Sequence, residues 1–178
     1  MKSDQRVNFK EIDWKAVDEK KAGFLYGEAL GYSNGLLADI RALNSKAFQL
    51  LAFVLPLFCA AIGFLMAARG NEGMDGFILP AVVACGGLFA VLALLLVAVF
   101  PRHVYLSESP PASYFSKAFY KEDMLGIFSF AIASVSKYIH RNYRVMRFRG
   151  RFLAAAIIAL MAMPLATLAA FLLCLPNS

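Results

Sequence analysis

Apolar and polar positions along this chain vary on two length scales. On the longer one, three runs, Ala47 to Ala68, Phe77 to Phe100 and Phe152 to Leu175, hold no Asp, Glu, Lys, Arg or His. A hydrocarbon core about 30 Å thick takes roughly 20 apolar residues of helix to cross, and each run is long enough. The expected fold class is an all-α membrane protein with three transmembrane helices. On the shorter scale, the flanking polar segments repeat at helical spacing. Leu25, Ala29, Tyr32, Leu36, Ile40, Leu43, Ala47 and Leu50 step by three and four, which predicts an arm helix from about Lys10 to Ser45 running into the first span. Leu125, Phe128, Ile132, Val135, Ile139, Asn142, Met146 and Arg149 keep the same step ahead of the third span, as a heptad-like stripe that turns polar toward the membrane. Such a stripe needs an apolar partner, and the arm offers one. The expectation is a cytoplasmic helical bundle formed by the N-terminal arm and the helix preceding the third span. Asn142 within the stripe either sets register or marks a water-facing end of the seam.

These patterns divide the chain into four parts. Residues 1–46 are a cytoplasmic helical arm, with 1–9 polar, aperiodic and expected to fray. Residues 47–100 are a two-span hairpin closed by the turn Arg69 to Gly76. Residues 101–151 are a connector and an amphipathic basic helix. Pro101 stops the second span, and Pro110-Pro111 favours extended geometry from Pro101 to Ser113. Residues 152–178 are the third span and a short outer tail. Pro56, Pro80 and Pro164 are candidate kinks within the spans.

Charge adds orientation. The arm carries eight Lys or Arg, the segment Pro101 to Arg151 carries nine, and the turn Arg69 to Gly76 carries one. By the positive-inside rule the arm and the second connection face the cytoplasm, while the hairpin turn and the C-terminus face out. The net charge of +6 arises almost wholly between Pro101 and Arg151, since the arm's cations are nearly balanced by seven acidic residues. Basic residues at a membrane edge already have a topological role, so nucleic acid is not an expected partner. No basic segment followed at once by an apolar stretch opens the arm, so no signal peptide is expected and the first span serves as its own insertion signal.

Candidate chemistry is sparse. Spans without ionisable residues argue against proton relays, voltage sensors and ion-coupled transport. Cys59, Cys85 and Cys174 fall one to a span without metal-ligand spacing, and are expected to pack as small apolar residues. No metal site is expected. Glu122 and Asp123 read as favourable charge at a helix start, and His103 and His140 as solvated surface residues. No nucleophile elbow, phosphate loop or metalloprotease motif occurs, so the chain reads as non-enzymatic.

The densest functional patch is Lys137, Arg141, Arg144, Arg147, Arg149 and Arg151, with Tyr138, His140 and Tyr143 among them. Arginines here could clamp phosphate bidentately and tyrosines could stack on a base. The competing reading is a cytoplasmic flank that holds topology and attracts anionic head groups. The candidate ligand-binding set is Lys137, Tyr138, Arg141, Tyr143, Arg144 and Arg147. Small residues recur every fourth position in the spans, at Cys59, Gly63 and Ala67, at Gly86 and Ala90, and at Ala162, Ala166 and Ala170. Small faces permit close helix approach, within one chain or between copies. Gly23, Gly27, Gly31 and Gly35 do so on the arm, or else only weaken its helix.

Leu43-Asn44-Ser45-Lys46-Ala47-Phe48 leads into the hairpin, which ends in Phe100-Pro101-Arg102. Ser113-Tyr114-Phe115 lies in the connector, and Ser136-Lys137-Tyr138 and Asn142-Tyr143-Arg144-Val145-Met146-Arg147 precede the last span. In this layout, over residues 25 to 175, the chain resembles the small bacterial membrane effectors called Pycsar effectors, from cyclic-pyrimidine anti-phage defence. It is more loosely similar to membrane effectors of related oligonucleotide-signalling systems. The resemblance implies a bacterial inner-membrane protein that oligomerises and responds to a cyclic nucleotide such as cUMP or cCMP from a partner cyclase. On binding, it would permeabilise or depolarise the membrane. It transfers no nucleotide site residue by residue. The alternative expectation is a passive anchor or accessory subunit that recruits a soluble partner along the Leu125 to Met146 stripe.

Overall fold

Asp18 begins the first helix. Its Oδ1 accepts a hydrogen bond from the Lys21 backbone N–H at 2.7 Å, and its backbone carbonyl accepts one from Ala22 N–H at 2.9 Å. The side-chain bond satisfies a donor that a helix N-terminus otherwise leaves open. From this cap, in the computed structural model, helix α1 runs unbroken over Glu19–Arg69, 51 residues. The structure describes residues 17–71, 74–100, 104 and 123–174. Helix α2 spans Asp75–Val99 and ends as Phe100 N–H bonds to the Leu96 carbonyl at 2.8 Å, one residue before Pro101. Helix α3 spans Met124–Cys174, again 51 residues. Asp123 caps it, its Oδ1 accepting from Gly126 N–H at 2.7 Å, as the charge reading of that helix start anticipates.

All described secondary structure is helical, and all three helices are long and apolar enough to cross a membrane. The polar arm and the first span are one helix, as are the amphipathic segment and the third span. Pro56, Pro80 and Pro164 lie inside helices that continue through them. The expected start of the arm helix near Lys10 and most of the connector from Pro101 to Ser113, with Tyr114-Phe115, lie outside the described residues.

The chain forms two compact units, Met1–Asp39 with His103–Arg144 and Ile40–Arg102 with Val145–Ser178. In the first, α1 packs on the N-terminal half of α3. Ala22, Ser33 and Leu36 are buried on one helix, Ile132, Val135 and Asn142 on the other. The Tyr26 and Phe128 rings lie 6.1 Å apart. Asn142 is fully buried, so it sits within the seam.

The arm stripe needs correction at its start. Leu25 and Tyr32 are 47% and 55% exposed, and the inward positions are Ala22, Tyr26, Ala29, Ser33 and Leu36. The stripe is displaced by one residue because the Phe128 ring must be accommodated. It lies 3.5 Å from where a Cβ on Gly23 would stand, so the glycine face turns inward there. Gly27, Gly31 and Gly35 are exposed with nothing near.

In the second unit the spans pack tightly at the end remote from the hairpin turn. Ala47, Val54, Leu88, Val91, Leu95 and Leu153 belong to one buried cluster there. Farther along, the backbones of α2 and α3 approach so closely that a Cβ on Gly87 would meet Met163 Cγ at 2.9 Å. Only glycine fits without displacing that methionine. The four-residue small faces take almost no part in this packing. Cys59, Gly63, Ala67, Gly86, Ala90, Ala162 and Ala166 are exposed, and Ala170 alone of the set is buried.

Candidate functional site

A helix turns about 100° per residue, which sorts the basic patch into faces of α3. Lys137, His140, Arg141, Arg144, Arg147 and Arg151 fall within a sector of about 120°, and all six are exposed. The buried positions Val135, Asn142, Met146 and Arg149 fall on the opposite side, Met146 being half-buried. The sequence cluster thus separates into a solvent-facing cationic stripe and one seam residue, Arg149, which is only 6% exposed. Arg149 leaves the candidate anion surface because the 3.5-residue repeat of the seam includes it.

Tyr138 and Tyr143 lie on opposite flanks of the stripe, about 140° apart around the helix. Tyr138 is half-buried and Tyr143 is 41% exposed. A ligand lying on one helix therefore stacks on one tyrosine and not on both. Along the axis, Lys137 and Arg147 are about 15 Å apart, whereas Arg141, Arg144 and Arg147 succeed one another at about 4.5 Å. A single phosphate on one helix therefore meets neighbouring arginines such as Arg141 and Arg144, and not the whole stripe.

The Arg144 guanidinium donates a hydrogen bond to His140 Nε2 at 3.0 Å. Arginine has no acceptor, so the His140 nitrogen accepts, which places its ring proton on Nδ1. This bond lays Arg144 back along the helix toward Arg141. Reading the patch as a list of charges misses the pairing, although the four-residue spacing that makes the two side chains neighbours is visible in the chain. No described carboxylate pairs with Lys137, Arg147 or Arg151, so their charge is available to an external anion.

Among the described residues, no group of three His, Cys, Asp or Glu converges as a metal site. The three cysteines are free. A separate apolar cleft of about 700 Å³ lies among the three spans, lined in part by Phe64, Pro80, Pro164 and Phe171. The chain matches no protein-family model, no curated protein and no solved structure.

Proposed function

We propose that this chain is a ligand-gated membrane effector of the bacterial inner membrane. It assembles from several copies, takes up an anionic cytoplasmic signal of the cyclic-nucleotide class on the cationic stripe of α3, and then breaches the bilayer. It performs no chemistry of its own. The N-terminus and the cytoplasmic bundle of arm and amphipathic helix lie inside, and the hairpin turn and C-terminus lie outside, in keeping with the positive-inside charge distribution.

The observation that carries this reading is helix continuity. Both α1 and α3 pass without interruption from polar, charged segments into apolar spans. A rotation or separation at the polar end is then inherited by the span, because an intact helix transmits torsion through its hydrogen-bonded backbone. A ligand drives such a change only to the extent that it binds the open state better. One arginine helix grips a phosphate from one side. Two copies presenting Arg141, Arg144 and Arg147 to the same anion grip it from both, and this is the differential contact the model requires. Exposed small faces at Cys59, Gly63 and Ala67 and at Ala162 and Ala166 support association of copies, since one chain leaves them uncovered.

The anchor reading loses its main surface. The stripe from Leu125 to Met146 is already buried or half-buried in this chain, with Ile132 and Val135 6% and 2% exposed. The test is leakage of ions and dye from liposomes carrying the purified chain, scanned against cyclic mono- and oligonucleotides. The expected result is leakage with one nucleotide, abolished in Arg141→Gln/Arg144→Gln/Arg147→Gln with insertion and assembly intact. Silence across the panel with insertion verified, together with a stoichiometric co-purifying protein, overturns the proposal.

A further inference from the structure

The span unit is packed unevenly along its length, and the uneven part has the dimensions of one lipid leaflet. Near Ala47, Leu95 and Leu153 the three helices share a continuous buried cluster. Toward the hairpin turn they separate around the cleft of about 700 Å³, to which all three contribute. On α3 the lining runs from Met163 to Phe171, about 12 Å along the axis. That is close to the roughly 15 Å of one leaflet's hydrocarbon, half of a 30 Å core. Spread over this length, the volume gives a cross-section of about 60 Å². A helix only 10 Å across needs about 80 Å² and must continue past both ends of the cleft. The buried cluster closes one end, and the Phe77 and Phe171 rings, 5.6 Å apart, join α2 to α3 at the other.

Polar chemistry is almost absent from the lining. Thr167 is its one side chain with a polar group, and its hydroxyl is engaged, donating to the Met163 carbonyl at 2.9 Å. Just beyond the cleft, Arg69 is exposed in the last turn of α1 and is the one described cation at the hairpin end of the spans. It stands five residues past the lining residue Phe64, about 7 Å along the axis.

We propose that this cleft is a lipid site. It holds acyl chain from a phospholipid of the leaflet on the hairpin side, with the lipid phosphate at Arg69. The inference does not depend on the nucleotide-gated reading, because the cleft and Arg69 are remote in sequence from the arginine stripe.

The test uses the full chain in phosphatidylcholine vesicles containing a trace of phosphatidylglycerol with a diazirine-bearing acyl chain. Labelling is mapped by residue after irradiation. Phe64, Thr167 and Phe171 are expected to be labelled several-fold more than Met66, Leu165 and Leu173, which are 72%, 70% and 82% exposed and report ordinary lipid contact. Ala84→Phe, which fills the cleft, should bring the two sets level, and Arg69→Gln should lower the excess without altering the fold. Equal labelling of the two sets in the unaltered chain overturns the site, as does a disulfide between copies formed through Thr167→Cys. Should Ala84→Phe not insert, the ratio in the unaltered chain and the Arg69→Gln result decide the question.

Discussion

The two ends of helix α3 keep one periodicity and bury different chemistry. From Leu125 through Cys174 every third or fourth position is buried or half-buried. In the amphipathic half the seam includes Asn142, with Ser33 buried on α1 in the same unit. Beyond Phe152 it holds Leu153, Ala156, Leu160 and Met163. In water, burial of apolar surface drives association, so a seam can include polar positions that restrict register at some cost in stability. In lipid that drive is missing, because the surroundings are as apolar as the side chains. Close contact must hold the spans instead, as at Gly87 against Met163, and where contact lapses an apolar cleft opens.

The sharpest way to break this comparison is to make equivalent truncations in both units. Ile132→Ala is expected to destabilise by about 2–5 kcal/mol, the usual range for a buried large-to-small change. Leu95→Ala should fall well short of that, because its unfolded reference lies in lipid and only packing is lost. Reversible unfolding in mixed micelles measures both, and equal losses would mean that the two ends obey the same physics. Next in size is Gly87→Val, which must displace Met163 and should cost about 1–3 kcal/mol by overpacking. Gly86→Val is its control, since a Cβ at Gly86 meets nothing within 4 Å, and it should be nearly silent by the same measurement.

Capping effects are smaller. Asp123→Ala removes the bond to Gly126 N–H and should cost about 1 kcal/mol, with fraying limited to the first turns of α3 in hydrogen exchange. The smallest effect concerns pH at Asp18. The Lys21 backbone N–H, and then the Lys21 ammonium 3.2 Å from Oδ2, hold this carboxyl below its ordinary 3.8. A depressed carboxylate pKa contributes stability that is complete above the unfolded value and is lost as pH falls through the lower folded value. Protection of the Lys21 amide should therefore be unchanged from pH 7 to about pH 5 and decline below about pH 4. Protection that persists at pH 2 would show that the carboxylate does not hold this helix start.

Much of this architecture is legible in the residues, and the exceptions have physical causes. Charge-free runs, the 3,4 step of the Leu125 stripe and an acidic start to α3 are local signals, and each has its counterpart in the structure. The arm stripe is not, because leucine and tyrosine at positions 25 and 32 are more apolar than alanine and serine at 22 and 33. Hydropathy selects the former, and the room needed by Phe128 beside Gly23 selects the latter. Arg149 is similar: in sequence it belongs with the arginines around it, and on the helix it belongs to the seam.

By itself the sequence determined the number of spans, their helical form and the run of each long helix into a span, because chain length and hydropathy are local properties that a bilayer reads directly. Tertiary structure alone decided which face of the arm turns inward, which arginine is removed from the cationic stripe, that the four-residue small faces stay uncovered, and that the spans separate into a leaflet-deep cleft. Each of these depends on where a side chain from a distant part of the chain comes to rest. Steric fit of that kind, as at Phe128 and Met163, is set between residues and is absent from any one of them.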